Sequence, residues 1–275
     1  MFNVVKTVLL FALLLLYMVP FLLVVINAFK SNGAILSSPL GLIDPGGITF
    51  SNFFKAWERM DFLRSFMNSL MITVVSVVLI VLVSSMTAWL FVRFSWKINK
   101  IFFGAMVAAM IVPFQVIMIP LVYVYGGVLD ILGNPVTLMA MNVGFGVSMA
   151  TFIYHGFIKG GVPLSLEEAA TLDGCTRTQM FFKVVFPLLK PTTATIVVLD
   201  VLWVWNDYLL PSLVLSNNRD AFTLPLSTYT FYGAYLTDYG AIMAALCLTA
   251  LPVIVLYLFL QKQIISGVIS GAVKA

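Results

Sequence analysis

Charged residues along this 275-residue chain stand far apart, and the apolar runs between them set its plan. Between Lys6 and Lys30 lie 23 uncharged residues, between Arg64 and Arg93 there are 28, between Lys100 and Asp130 there are 29, and between Asp130 and Lys159 another 28. Lys190 to Arg219 encloses 28 more, interrupted only by Asp200 and Asp207, and Asp238 to Lys262 encloses 23. About 20 predominantly apolar residues suffice to cross a bilayer as a helix. Each interval therefore predicts one spanning helix, at about 7–29, 66–92, 101–125, 135–158, 191–215 and 240–262. The expected fold is an all-α integral membrane protein of six transmembrane helices, with residues 1–275 forming a single domain.

Composition agrees with that pattern. Hydrophobic residues make up 61% of the chain and charged residues 9%, where soluble domains carry about a quarter charged. The apolar core of the first run, Val8 to Ile26, is too long for a cleavable leader and no A-x-A site follows it, so it is expected to stay as a membrane helix. Six spans put both termini on one side. With both inside, the cytoplasmic segments carry ten Lys and Arg and the external ones five, which favours N-in/C-in. The net charge of +4 is accounted for by this topology, and nothing points to nucleic acid.

Several kinds of chemistry are excluded. Cys175 and Cys247 fall in a loop and a span, and make neither a disulfide framework nor a metal site. The single His155 cannot hold a metal alone. No Gly-Lys pair occurs anywhere, so the chain has no P-loop and is expected to bind no ATP or other cofactor itself. An intramembrane enzyme would need paired acids or a His cluster at one depth. Asp200 and Asp207 are seven residues apart, about 10 Å along a helix, too far to share a proton.

Between the spans the pattern is more varied. Turn signals fill 32–47, and 51–66 predicts a surface helix with Ser51 as N-cap and Phe54, Trp57 and Met60 along one face. Pro113 and Pro120 predict kinks in the third span. The fourth is rich in Gly, Ala, Ser and Thr, which allow close helix approach.

The least apolar interval lies between the fourth and fifth spans. Ser165-x-x-Glu168 predicts a capping box, with Glu167 and Glu168 at the positive end of a short helix. Asp173-Gly174 predicts its end, and Met180, Phe181, Val184 and Val185 line one side of a second short helix stopped by Pro187. A helix–glycine turn–helix of this kind reads either as a linker on the lipid surface or as a small knob for a groove on a partner protein.

Here the residues carry a resemblance. Glu168-Ala169-Ala170, Gly174 four residues on, then Val184-Val185-Phe186-Pro187 resemble the EAA loop of bacterial ABC-importer permeases, with Val184 and Phe186 in place of its Ile and Leu. Asp173, "PLLKP" and "WVWNDYLLPSLVL" are similar to the carbohydrate, maltose-type branch of that family. The resemblance covers essentially the whole chain. It implies a permease subunit in a multi-pass bacterial inner membrane complex importing a sugar or oligosaccharide. Its partners would be a homologous second permease, a cytoplasmic ATPase dimer that binds ATP and Mg, an external solute-binding protein and membrane lipid. Glu167, Glu168, Ala169, Ala170, Asp173, Gly174 and Pro187 would form the ATPase-coupling element, on loop 159–190. The outer loop 216–240 would reach toward the binding protein, and the tail "QKQIISGVISGAVKA" toward the ATPase.

Polar residues inside the spans are the candidates for a solute path: Asp200 near mid-membrane, Asn206, Asp207 and Trp203 toward the outer mouth, and Asn142 in the fourth span. For each a structural reading stands beside it. Asp200 could instead fix one helix against another, Trp203 with its aromatic neighbours could form an interfacial belt, and Asn142 could be interhelical glue. The alternative functions are an ABC permease for a non-sugar solute and a secondary transporter without an ATPase, although no inverted repeat is visible.

Overall fold

The computed structural model describes residues 2–42, 44, 46–231 and 238–272, and every regular element among them is a helix. The chain divides into two compact units, Met1–Phe66 with Thr223–Leu256, and Met67–Phe222 with Tyr257–Ala275.

In the first unit, α1 (Phe2–Ala28) is exposed along most of its apolar length, and only its last residues, Asn27 and Ala28, are buried. The unit is held by a polar knot. Asn52 Nδ2 donates to the carbonyls of Ala28 (2.9 Å) and Lys30 (2.8 Å), Asn27 Nδ2 to Pro39 O (3.1 Å), and Lys30 Nζ to Ser38 O (3.2 Å). The Asp44 carboxylate accepts the Ser31 and Gly46 amides, each at 2.7 Å, and these bonds, that from Ser31 foremost, hold its pKa below the usual value. Gly240 is required beside this knot, because a Cβ there would lie 2.6 Å from Asn52 Nδ2.

Two expectations for this unit are corrected. A short α2 (Asn32–Ser37), capped by Ser31, occupies part of the stretch read as turns. The surface helix is only α3 (Ser51–Arg59), and Ser51 is its first residue and not its cap. It buries Asn52 and Ala56, with Met60 just beyond, while Phe54 and Trp57 face outward. The knot recruits the polar Asn52, so a count of apolar residues picked the wrong face. The chain turns at Met60–Asp61, where Asp61 has φ +45°, and α4 (Phe62–Arg93) begins four residues before the predicted start.

In the second unit, α4 packs with α7 (Pro135–Gly161), and their apolar seam runs through Val77, Ile80, Ala88, Ala150, Tyr154 and Ile158. Asn134 caps α7 by accepting the Val136 amide, and Pro135 takes the first helical position. The small residues of the fourth span do what was expected at Gly146: a Cβ there would meet Ile80 Cδ1 at 2.5 Å.

The third and fifth spans are not single rods. α5 (Lys97–Ala109) and α6 (Phe114–Val122) meet at 99°, the chain breaking just before Pro113, which disfavours helical geometry at Val112. Pro120 sits inside α6, and a π-helical turn, Tyr123–Val128, follows. α8 (Leu164–Leu172) and α9 (Arg177–Met180) lead through a π-helical turn, Phe181–Val185, into α10 (Phe186–Leu188). The Phe186 amide bonds to Phe181 O, five residues back, immediately before Pro187, which has no amide to offer. Pro187 therefore bends the path without stopping it at once: helix runs to Leu188, then turns by 78° into α11 (Lys190–Asn206). The predicted 191–215 span breaks again at Asp207–Tyr208 before α12 (Leu209–Leu215). After α13 (Leu224–Ser227), α14 (Tyr239–Ala272) runs about ten residues past the predicted end at 262. Residues 232–237 of the outer loop and 273–275 of the tail lie outside the described residues.

Four helices are long and apolar enough to cross a membrane, and the two bent pairs bring the number to as many as six.

Candidate functional site

The candidate coupling loop, 159–190, is built by local rules, with one correction. The Ser165–Glu168 capping box does not form: α8 starts two residues earlier than that cap requires, at Leu164, after an extended Pro163, with no side-chain cap. The reciprocal cap stands instead at α9, where Thr176 Oγ1 accepts the Gln179 amide and Gln179 Oε1 accepts the Thr176 amide. Gly174 ends α8 as expected. Its φ is +79°, the Gly174 amide bonds to Thr171 O and the Cys175 amide to Ala170 O, a Schellman closure. A Cβ at Gly174 would meet open space, so the requirement for glycine is one of backbone conformation and not of room.

α8 then sorts the predicted residues into two faces. Glu168, Ala169, Asp173 and Gly174 are exposed, and with them Leu172, 90% exposed, an apolar side chain at the tip of the element. Glu167 and Ala170 turn inward. Glu167 Oε1 accepts from Arg93 Nε at 2.7 Å, and Oε2 from Trp89 Nε1 at 3.0 Å. Arg93 also donates through Nη2 to the Val162 carbonyl at 2.8 Å, the residue that closes α7. Both charged side chains are nearly enclosed, 13% exposed for Arg93 and 6% for Glu167. A buried ion pair must be well hydrogen-bonded to offset its desolvation, and this one uses both carboxylate oxygens and two arms of the guanidinium. Nearby, the Arg177 guanidinium lies 5.0 Å from the Phe94 ring, and the Trp89 and Phe181 rings are 5.5 Å apart.

Sequence reasoning missed Trp89 and Arg93. In the sequence Arg93 reads only as a positive residue at the end of the second apolar run. The available signal was the pair Glu167-Glu168 itself: adjacent helical residues point in different directions, so one of two acids in a packed element must find an internal partner.

The intramembrane candidates are not brought together. Asn142, 2% exposed, donates to Ser76 Oγ at 3.4 Å, which joins α7 to α4. Asn206 is exposed and donates to Leu202 O on its own helix. Asp207 Oδ1 accepts the Leu209 amide at 3.0 Å and caps the start of α12. Trp203 is 40% exposed and lies where a Cβ on Gly146 would approach it to 3.4 Å. Asp200, 8% exposed, is buried on α11, and its Oδ2 finds no hydrogen-bond partner among the described residues. None of these five lines a cavity of about 820 Å³ that opens between the broken third span and α7. Its wall is mostly apolar, with Tyr125, Asn134, Thr137 and Ser148 as polar points. Among the described residues no cluster of His, Cys, Asp or Glu could hold a metal ion.

Residues 80–270 match the model of the binding-protein-dependent transport system inner membrane component, well over half of the chain. The chain belongs to that family. It is thus a multi-pass inner-membrane permease, a transporter's membrane component. The permease is 39% identical to a probable starch degradation products transport system permease protein, AmyC, of Thermoanaerobacterium thermosulfurigenes, over 94% of this chain and 93% of the relative. It is 35% identical to the melibiose/raffinose/stachyose import permease protein MelC of Bacillus subtilis, over 94% and 92%. Its fold is similar to a chain in the crystal structure of a bacterial ABC transporter involved in the import of the acidic polysaccharide alginate, with a TM-score of 0.80, 21% identity and 95% of each chain covered.

Proposed function

We propose that this permease is one half of the membrane channel of an ATP-driven sugar importer, with α8 as the helix on which a cytoplasmic ATPase acts. The observation that carries the reading is the outward face of α8, Glu168, Ala169, Leu172, Asp173 and Gly174, exposed on an element whose inward face is fixed by an enclosed ion pair. A surface linker needs no such fixing, whereas a docking knob must hold its shape when pushed.

In this reading residues 1–275 act as one permease domain of six spans with both termini cytoplasmic, the bent pairs α5–α6 and α9–α11 each counting as one. A second, homologous permease completes the path. Two ATPase subunits, which bind ATP and Mg, close on hydrolysable nucleotide and move the α8 elements. An external solute-binding protein delivers the solute, and the permease itself carries no cofactor. Two relatives named for starch products and for melibiose, raffinose and stachyose support a sugar as cargo.

The test is ATP hydrolysis by the purified complex with its binding protein, read against maltooligosaccharides, galactosyl oligosaccharides, amino acids and peptides in turn. The reading predicts stimulation by one class of sugar. Stimulation by amino acids or peptides alone would replace the cargo, and uptake that proceeds without ATP would replace the importer with a secondary transporter.

A further inference from the structure

We infer that Arg93 is the positioning residue through which movement of α8 passes into α4, with Trp89 as its second contact. The inference rests on the reading that α8 docks an ATPase, and adds the route by which the push leaves it. Backbone continuity alone is a weak route. At one end α8 is joined to α7 through extended Val162 and Pro163, and at the other to α9 through Gly174 at φ +79° and an extended Thr176. Both junctions are non-helical, where φ and ψ can absorb a displacement.

The side-chain bonds run elsewhere. Glu167 accepts from Trp89 and Arg93, one helical turn apart on α4, and Arg93 reaches on to the Val162 carbonyl at the α7 junction. α9 is fastened to the same place, since Arg177 lies over Phe94, the residue after α4 ends. α4 itself is a continuous 32-residue helix without proline, a rod of roughly 48 Å. A rod held at its inner end by two hydrogen-bonded side chains follows the coupling helix, while α7, tied to the latch only through the Val162 carbonyl and an extended link, follows less.

The experiment uses the assembled complex in nanodiscs, with spin labels at Leu79 on α4 and Met149 on α7, both exposed positions, after replacement of Cys175 and Cys247. The label distance is read with and without ATP and vanadate. In the unmodified latch the distance is expected to change with nucleotide. In Arg93→Gln, with the ATPase still bound, the change is expected to be lost, and with it solute-independent nucleotide coupling to fall by about 10-fold, within the range of ordinary coupling energies. Arg93→Lys keeps the charge but cannot fork to both Glu167 and Val162, so it should restore part of the change. Arg93→Gln combined with Glu167→Gln should be no worse than either alone.

An undiminished distance change in Arg93→Gln, or strictly additive effects, overturns the inference, as does a complex with bound ATPase and an intact latch in which α4 and α7 keep one distance. If Arg93→Gln fails to assemble, Trp89→Phe decides, because it removes only the indole N–H: loss of the nucleotide-driven change supports the route, an unaltered change rejects it. Failure of the docking reading has a different signature, since Leu172→Asp would then leave ATPase binding intact whatever the latch variants do.

Discussion

Two buried acids in the second unit contrast sharply. Glu167, on α8, has both carboxylate oxygens matched, to Arg93 and to Trp89, with the Arg93 fork continuing to a backbone carbonyl. Asp200, on α11, is almost as buried, yet one of its oxygens meets no partner among the described residues. The first is a finished structural joint. The second is a polar group held in an apolar setting at a cost, roughly 2.5–3.5 kcal/mol for a charge at mid-membrane on insertion scales. The difference separates an acid bonded through both oxygens from one that leaves an oxygen unmatched among the described residues.

Breaking the joint from one side should produce the largest effect. Arg93→Met leaves Glu167 buried without its cation and should cost about 3–5 kcal/mol, whereas the double change Arg93→Met with Glu167→Leu should recover most of it. Thermal unfolding in detergent measures both, and equal midpoints for the single and double variants would mean that an unpaired Glu167 carries no penalty. Next in size is Gly146→Val, which forces Ile80 and Trp203 aside at the α4–α7 contact and should cost about 1–3 kcal/mol by the same assay.

The helix–turn–helix of α8 and α9 was legible because most of its rules are local. Gly174 at a helix end is fixed by neighbours within a few residues, and the apolar side of Met180, Phe181 and Val185 shows in the local periodicity even though its packing partners are distant. What the sequence hid depends on distant partners. Nothing near Arg93 indicates that it meets Glu167, 74 residues on, and nothing near Phe54 indicates that Asn52 will take the inner face of α3. The capping box failed for a related reason: the extended Pro163 lets helical geometry begin before Ser165 can act as cap. Charge spacing marks the apolar intervals, of which four are single long helices and two are bent pairs, but the 99° break at Met110–Pro113 was not legible, because a proline in a membrane helix permits a slight kink as readily as a full turn. Polarity alone marks the solute-path candidates in the sequence, and the structure gives Asn142, Asn206 and Asp207 hydrogen bonds within the chain.

Smaller effects sharpen the contrast further. Gly174→Ala should cost about 1–2 kcal/mol through its left-handed backbone, and Gly174→Asn distinctly less. Hydrogen exchange at Gly174 and Cys175 reads this locally, and equal exchange in the two variants would show that conformation is not what the turn demands. Asp200→Asn should leave the unfolding midpoint unchanged or raised, since Oδ2 gives up no bond. A clear drop would reveal a partner and move Asp200 into the same class as Glu167.

The claim that the exposed face of α8 docks an ATPase is tested most directly by co-purification of the membrane complex from its host with Leu172→Asp. Leu172 is 90% exposed, so the change should leave the permease as stable as before. The account predicts that the unmodified permease brings down an ATPase and a second permease, and that Leu172→Asp keeps the second permease and loses the ATPase. An ATPase retained in full by Leu172→Asp would contradict it.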